Sequence, residues 1–171
     1  MSLDGFIAGP NDELDWSVGG ATSFSEMADE VVRTTGAFMV GGRMLKHYDG
    51  SGRGKPYGGA WTGPIFVLTH RDPATSPDPS ITFLSGDIKA AVETGLKAAD
   101  GKNLVVTGRS VPRQCVEAGL VDEIVLHVVP VLLGDGIRFF ESAGLSPVKL
   151  DMVAAHTGSI VELRLRTRRD R

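Results

Sequence analysis

Short apolar runs alternate with helix-like segments along most of this chain, and this alternation limits the possible folds more than any other feature. Residues 37–40 are wholly apolar, and 65–69 and 103–107 are apolar apart from polar residues at their ends. Strands that are apolar on both faces need cover on both faces, which favours a mostly parallel sheet between two layers of helices. The sequence therefore predicts a three-layer α/β/α fold.

Helix signals stand between these strands. Asp87 is a typical N-cap for a helix over about 87–99. Ser23 and Glu26 have the spacing of a capping box, and apolar residues follow at helical spacing as far as Gly36. The sequence predicts a helix that begins at this capping box and stops at Gly36.

The C-terminal part has a different pattern. Residues 160–167 alternate apolar and charged side chains, which is typical of an antiparallel edge strand. Another strand is expected near 148–154, and a long apolar strand over 124–133. The predicted sheet is therefore mostly parallel with an antiparallel C-terminal edge.

Composition sets the class of protein. The chain has 171 residues, 42% apolar and 23% charged, which predicts one globular domain over 1–171. The net charge of −3 gives no reason to expect nucleic acid or a membrane as partner. The single cysteine, Cys115, excludes an internal disulfide, and no signal peptide or membrane span is recognisable. A cytoplasmic protein is expected, and the spacing of the histidines predicts no metal site.

Two turns share one design, in which a buried strand leads through glycine into a helix start that carries Arg. They are the stretches 40–43 and 106–110. Glycine lets the backbone approach an anion, and a helix N-terminus with Arg offers donors, so together they suit the phosphates of a dinucleotide. The cluster 69–71 suits a phosphate monoester such as the 2′-phosphate of NADP. The alternative for each Arg is a solvated surface cation, and no G-x-G-x-x-G fingerprint is present.

The order and spacing of several motifs resemble one family. The motifs are Ser2-Leu3-Asp4-Gly5-Phe6-Ile7-Ala8-Gly9, Gly42-Arg43, Thr69-His70-Arg71, Gly119-Leu120-Val121-Asp122-Glu123-Ile124 and Pro130-Val131-Leu132-Leu133-Gly134-Asp135-Gly136. They are similar to the dihydrofolate-reductase-like family, which includes the reductase domain of the bifunctional riboflavin-biosynthesis deaminase/reductase. The resemblance covers nearly the whole chain.

This resemblance implies a dihydrofolate-reductase-like fold, NADPH as cofactor, a homodimer, and hydride transfer to a pyrimidine- or pterin-like heterocycle. Asp4 is the candidate catalytic or substrate-orienting carboxylate, with an ordinary Asp-Gly turn as the alternative. Trp16, Leu133 and Gly134 are the candidate substrate residues, and packing is the alternative for Trp16. The implied cofactor residues are Ile7, Ala8, Gly42, Arg43, Met44, Leu45, Thr69, His70, Arg71, Gly108, Arg109, Ser110 and Val111.

The chain also departs from the family pattern. Thr107 and Arg109 stand where relatives carry a glycine and a small residue, and 21–23 lacks the carboxylate of dihydrofolate reductases. Relatives have further first-strand residues before Ser2, so the true start is expected upstream of Met1, and the alternative is a sheet that has lost part of a central strand. Folate reduction is disfavoured, and 5-amino-6-(5-phosphoribosylamino)uracil is the suggested substrate. The alternative function is a non-catalytic homo-oligomer that binds a nucleotide or small molecule without turnover.

Overall fold

The computed structural model describes residues 1–17, 25–47, 56–70, 78–141 and 146–168. The chain divides into two compact units: a central unit, Ser25–Ala118, and a terminal unit formed by Met1–Phe24 and Gly119–Arg171. The expectation of a single domain stays a prediction. In chain order the elements are β1 (Phe6–Ala8), α1 (Glu26–Thr34), β2 (Thr35–Gly41), β3 (Ile65–Leu68), β4 (Ile81–Leu84), α2 (Ile88–Ala98), β5 (Asn103–Thr107), α3 (Ser110–Glu117), β6 (Glu123–Val128), β7 (Ile137–Arg138), β8 (Leu150–Thr157) and β9 (Val161–Thr167).

The central unit contains a four-stranded parallel sheet in the order β4-β3-β2-β5. All of β3 and most of β2 are buried. The rings of Phe38 and Trp61 pack with their centroids 4.6 Å apart, in a core that also contains Val40, Ile65 and Val67. The apolar runs therefore form buried parallel strands, as predicted.

The starts of α1 and α2 are both capped by side chains. The Asp87 carboxylate accepts hydrogen bonds from the first N–H groups of α2, which confirms the predicted N-cap. In α1 the N-cap is Ser25, whose hydroxyl accepts from the Ala28 N–H at 3.0 Å. The capping box predicted from Ser23 to Glu26 is therefore wrong, because Glu26 is the first residue of the helix. Ser23 lies outside the described residues.

Gly36 does not end α1. The chain passes from the helix into β2 at Thr35, so Gly36 is a strand residue. A Cβ on Gly36 would collide with the carbonyl oxygen of Ala99, just after α2. The glycine is therefore required by close packing between β2 and the end of α2, and not by a helix stop.

The terminal unit contains an antiparallel sheet in the order β6-β9-β8. The antiparallel C-terminal pairing is confirmed, but β9 lies at the centre of this sheet and not at its edge. β8 takes the edge position because it forms a hairpin with β9, and it begins later than the predicted strand over 148–154. β6 ends at Val128, before Pro130, so the predicted strand over 124–133 is too long.

Further pairings in the terminal unit join segments that are distant in sequence. Ser2 forms a parallel bridge with Val129, and the Leu3 N–H donates to the Val131 carbonyl oxygen at 2.8 Å. β1 pairs antiparallel with β7. The motif that begins at Ser2 therefore lies beside the motif that begins at Pro130, which brings Asp4 close to Leu133 and Gly134.

The predicted α/β class is confirmed, with a parallel sheet and a separate antiparallel C-terminal sheet. In the described part of the chain, no helix has the length and apolar character needed to cross a membrane. The same residues contain no cluster of three or more His, Cys, Asp or Glu side chains placed to hold a metal ion.

Candidate functional site

The parallel sheet of the central unit reverses its order at β2. The chain adds β3 and β4 on one side of β2 and then returns to place β5 on the other side. In open parallel sheets, ligands bind beyond the carboxyl ends of the strands where the order reverses. Val40 of β2 and Thr107 of β5 are opposite each other. The residues that follow them, Gly41 and Gly108, therefore begin the two turns at the same end of the sheet. The two glycine turns predicted from the sequence therefore lie at the switch point.

Glycine leaves space in both turns. A Cβ on Gly41 would lie 2.9 Å from the Oγ atom of Ser110. Gly108 has a φ of +93°, which L side chains rarely adopt, and a Cβ there would lie 3.7 Å from the Cγ atom of Met44. Met44 therefore borders the second turn. The turns form a cradle that side chains would fill, and such a cradle fits the diphosphate of a dinucleotide.

The N-terminus of α3 opens at the second glycine turn. Arg109 occupies its N-cap position and makes no capping hydrogen bond with its side chain. The first N–H groups of a helix have no acceptor within the helix, and anions bind there readily. Val111 is fully buried and anchors the first turn of α3 in the core. Arg43 and Arg109 are exposed. The switch point therefore carries the first N–H groups of α3 and two exposed cationic residues, Arg43 and Arg109.

The third predicted phosphate cluster lies at the end of β3. A Cβ on Gly42 would lie 3.4 Å from the Oγ1 atom of Thr69, so the Thr69 hydroxyl lies beside the first glycine turn. His70 is exposed next to it. Arg71 and the side chain of Leu45 lie outside the described residues. The structure thus brings Thr69 and Gly42 together, and the roles of the other members stay predictions.

In the terminal unit, Asp4 binds two successive backbone N–H groups. Its carboxylate accepts the Gly134 N–H at 2.7 Å, and the Leu133 N–H lies 3.2 and 3.1 Å from its two oxygens. Gly134 has a φ of +74°, in the left-handed region that allows consecutive N–H groups to point toward one anion. The candidate catalytic residue and two candidate substrate residues are therefore in direct contact.

Asp4 is held in its ionised form. The hydroxyl of Ser2 and the N–H groups of Gly134 and Leu133 donate to its carboxylate and lower the pKa of Asp4 to about 2. Ser2 is fully buried, and its Oγ atom also accepts the Phe6 N–H at 2.9 Å. Because both carboxylate oxygens accept backbone N–H groups of the chain itself, the geometry fits an orienting role for Asp4.

Sequence reasoning missed Ser2 and Gly136 as parts of this site. Ser2 opens the Ser-Leu-Asp-Gly motif, and its place two residues before Asp4 was the available signal. A Cβ on Gly136 would collide with the carbonyl oxygen of Ala8. Glycine therefore lets the loop that contains Leu133, Gly134 and Gly136 pass close to β1. The register between β1 and β7 shifts between Phe6 and Ala8, which puts Ile7 at the irregularity. Ala8 therefore lies beside Gly136, and the contact of Ile7 and Ala8 with a cofactor stays a prediction.

Trp16 is bound to its own loop. Its indole N–H donates to the Glu13 carbonyl oxygen at 2.9 Å, and the residue belongs to a short 3₁₀ helix, Asp15–Ser17. The side chain is half-buried. This local hydrogen bond fits the packing alternative, and a substrate contact of Trp16 stays a prediction.

Comparison with known families identifies the origin of these motifs. Residues 1–160 match the model of the RibD C-terminal domain. The chain belongs to the RibD C-terminal domain family. The match covers both glycine turns of this RibD C-terminal domain, the Asp4 loop and the antiparallel strand β6.

Solved structures share the fold of this RibD C-terminal domain. A protein of Shewanella sp. PV-4 that was assigned to riboflavin biosynthesis has a TM-score of 0.81 at 21% identity, over 99% of this chain and 96% of its own. The diaminohydroxyphosphoribosylaminopyrimidine deaminase/5-amino-6-(5-phosphoribosylamino)uracil reductase of Thermotoga maritima has a TM-score of 0.63 at 16% identity, over 97% of this chain and 54% of its own. Dihydrofolate reductase from Enterococcus faecalis, complexed with NADP(H), has a TM-score of 0.62 at 17% identity, over 98% of this chain and 92% of its own. The predicted dihydrofolate-reductase-like fold is confirmed.

Proposed function

We propose that this chain is an NADPH-dependent reductase of a pyrimidine- or pterin-like small molecule. Membership of the RibD C-terminal domain family and the fold shared with reductases support the reaction class. The observation that carries the proposal is the pair of glycine turns at the carboxyl ends of β2 and β5, beside the N-terminus of α3. This is where a parallel sheet offers a dinucleotide its phosphate donors.

The residues present fit such a cofactor. Gly41, Gly42 and Gly108 leave room for the diphosphate, and the N–H groups at the start of α3 donate to it. Thr69, with the neighbouring His70 and Arg71, is the proposed contact for the 2′-phosphate. The bound nicotinamide supplies a hydride, and the protein orients its acceptor.

Asp4 has a defined part in this proposal. Reduction consumes one proton for each hydride, and an Asp4 that is ionised at neutral pH does not supply it. Water or a group on the substrate then provides the proton, which suits a polar pyrimidine better than a pterin ring that needs protein protonation. The proposed substrate is 5-amino-6-(5-phosphoribosylamino)uracil or a related pyrimidine, in keeping with the name of the Thermotoga maritima relative.

Calorimetric titration with NADPH and NADH, followed by NADPH oxidation with a panel of pyrimidines and pterins, tests the proposal. We expect saturable binding of NADPH, weaker binding of NADH, and oxidation with a pyrimidine. Arg43→Ala is expected to weaken NADPH binding, whereas the control Arg113→Ala, on the exposed Arg113–Glu117 pair of α3, is not. Absence of NADPH binding would overturn the proposal. Binding without oxidation across the panel would favour the non-catalytic alternative.

The antiparallel sheet of the terminal unit supports a homodimer as the form of the enzyme. Paired positions share a face of a sheet, and one face of β6-β9-β8 carries no charged residue. Met152 and Val161 on this apolar face are 59% and 40% exposed. Large apolar side chains on that face include Ile124, Leu126, Met152, Val161, Leu163 and Leu165. An uncharged, apolar sheet face is complementary to a second copy of itself across a two-fold axis, so we propose that this face forms the dimer interface.

A further inference from the structure

We infer that Asp4 is a positioning residue, whose carboxylate permanently fills an anion-binding nest made by the backbone N–H groups of Leu133 and Gly134. The inference rests on the proposed function only in so far as this loop borders the substrate. The physical claim, that Asp4 fixes the loop, stands on the three hydrogen-bond distances between its oxygens and these N–H groups.

The nest has the features of an anion site. Two consecutive N–H groups converge on one carboxylate, and the positive φ of Gly134 is the conformation that produces this convergence. In many proteins such a nest binds a phosphate or carboxylate of a ligand. Here the occupant comes from the chain itself, and its other donor, the Ser2 hydroxyl, comes from a fully buried residue. The anion position is therefore occupied by a carboxylate of the chain itself.

The Leu133 and Gly134 N–H groups already donate to Asp4, so they are not available to a substrate phosphate. A phosphorylated substrate has to place its phosphate elsewhere, and the loop meets the substrate through its carbonyl groups or the Leu133 side chain. Asp4 thus acts through the loop and not by contact with the reacting atoms.

The same geometry predicts chemical rescue. Asp4→Ala removes the carboxylate and leaves two neighbouring N–H groups directed at an empty position of carboxylate size. A small carboxylate such as formate fits the vacated position and restores the same hydrogen bonds. Asp4→Asn keeps the shape of the side chain, but its amide has one acceptor oxygen and places an NH₂ donor toward N–H groups. It therefore restores only in part the clamp, that is, the hydrogen bonds from the Leu133 and Gly134 N–H groups to residue 4.

Amide hydrogen exchange tests the clamp without any need for turnover. In Asp4→Ala the amides of Leu133 and Gly134 are expected to lose most of their protection, and formate is expected to restore it, while chloride at equal ionic strength does not. The matched control is Asp135→Asn in the same loop, where the side chain accepts the adjacent Gly136 N–H at 2.7 Å and the Asn oxygen keeps that bond. Its Leu133 and Gly134 amides are expected to exchange as in the wild type. Unchanged protection in Asp4→Ala, or no response to formate, overturns the inference. Asp4→Asn provides the same readout if the Ala variant does not fold.

Steady-state kinetics tests the link to catalysis. With the loop released, kcat is expected to fall by about 100-fold, as for a misplaced substrate-binding group, and formate is expected to recover part of the loss. The pH profile of Asp4→Asn is expected to keep the wild-type shape at a lower rate, because no proton passes through Asp4. A lost limb of the profile in Asp4→Asn would show a proton donor and overturn the positioning role. If the wild type oxidises no NADPH with any heterocycle, the proposed function fails, and the exchange experiment still decides the clamp.

Discussion

The Nδ1 atom of His127 on β6 lies 2.8 Å from the Oε1 atom of Glu162 on β9. The Glu162 side chain is only 6% exposed, whereas that of His127 is 33% exposed. The register of the sheet also places His156 of β8 opposite Glu162, on the other side of β9. His156 is exposed. A buried carboxylate therefore stands between two histidines, and a hydrogen bond joins it to His127.

This arrangement gives a prediction on stability. His127→Ala removes a partner of a buried carboxylate and is expected to lower the free energy of unfolding by about 2 kcal/mol. His156→Ala, which alters the exposed histidine in register with the same carboxylate, is expected to change it by less than about 0.5 kcal/mol. Urea unfolding at neutral pH measures both. Equal losses in the two variants would show that the bond between His127 and Glu162 has no special weight.

The second prediction separates backbone strain from cofactor binding. Gly108 and Gly86 both have positive φ, +93° and +103°, and a Cβ at Gly86 would meet nothing within 4 Å. Substitution of either by Ala is expected to cost about 1–2 kcal/mol of stability through strain. Only Gly108→Ala is expected also to weaken NADPH binding, by about tenfold, which corresponds to about 1.4 kcal/mol. Calorimetry with NADPH on both variants provides the test, and equal affinities would remove Gly108 from the proposed site.

The third prediction concerns acid stability. Hydrogen bonds from Ser2 and the loop N–H groups lower the pKa of Asp4 from 3.8 to about 2 in the folded chain. The unfolded chain therefore binds more protons in this interval, so the stabilisation by Asp4 is complete above about pH 4 and is lost as the pH falls toward 2. The difference in unfolding free energy between wild type and Asp4→Asn is expected to be constant at neutral pH and to narrow in acid. A difference that does not change in acid would contradict the lowered pKa.

Much of the fold follows from local sequence signals. The apolar runs that became β2 and β3, and the Asp87 N-cap, depend on neighbouring residues and on burial from both faces, which the sequence displays directly. The need for glycine at position 36 does not follow from local sequence signals, because it comes from packing against the end of α2, far along the chain. The edge position of β8 also cannot be predicted from local sequence, since side chains alternate in the same way in a central and in an edge antiparallel strand.

The candidate site shows the same division. Asp4 and Gly134 each belong to a recognisable motif, but a hydrogen bond across that sequence distance is set by tertiary pairing, which local pattern does not encode. The meeting of the two glycine turns was predictable, because the carboxyl ends of adjacent parallel strands lie at one edge. The sequence shows Gly136 only as part of a motif, because the steric need for glycine there comes from Ala8, which is distant in sequence.

The last prediction tests the proposed dimer. Met152→Lys places a charge on the apolar face of β6-β9-β8, where a second copy would bury it without a partner, and such burial costs several kcal/mol. Light scattering and sedimentation are expected to show a dimer for the wild type and a monomer for this variant. Leu96→Lys is the matched control, because Leu96 is an exposed apolar residue, 50% accessible, on α2 of the central unit. It is expected to remain dimeric, and both variants are expected to keep the wild-type circular dichroism. A wild-type monomer, or a dimer that tolerates Met152→Lys, would contradict the proposed interface.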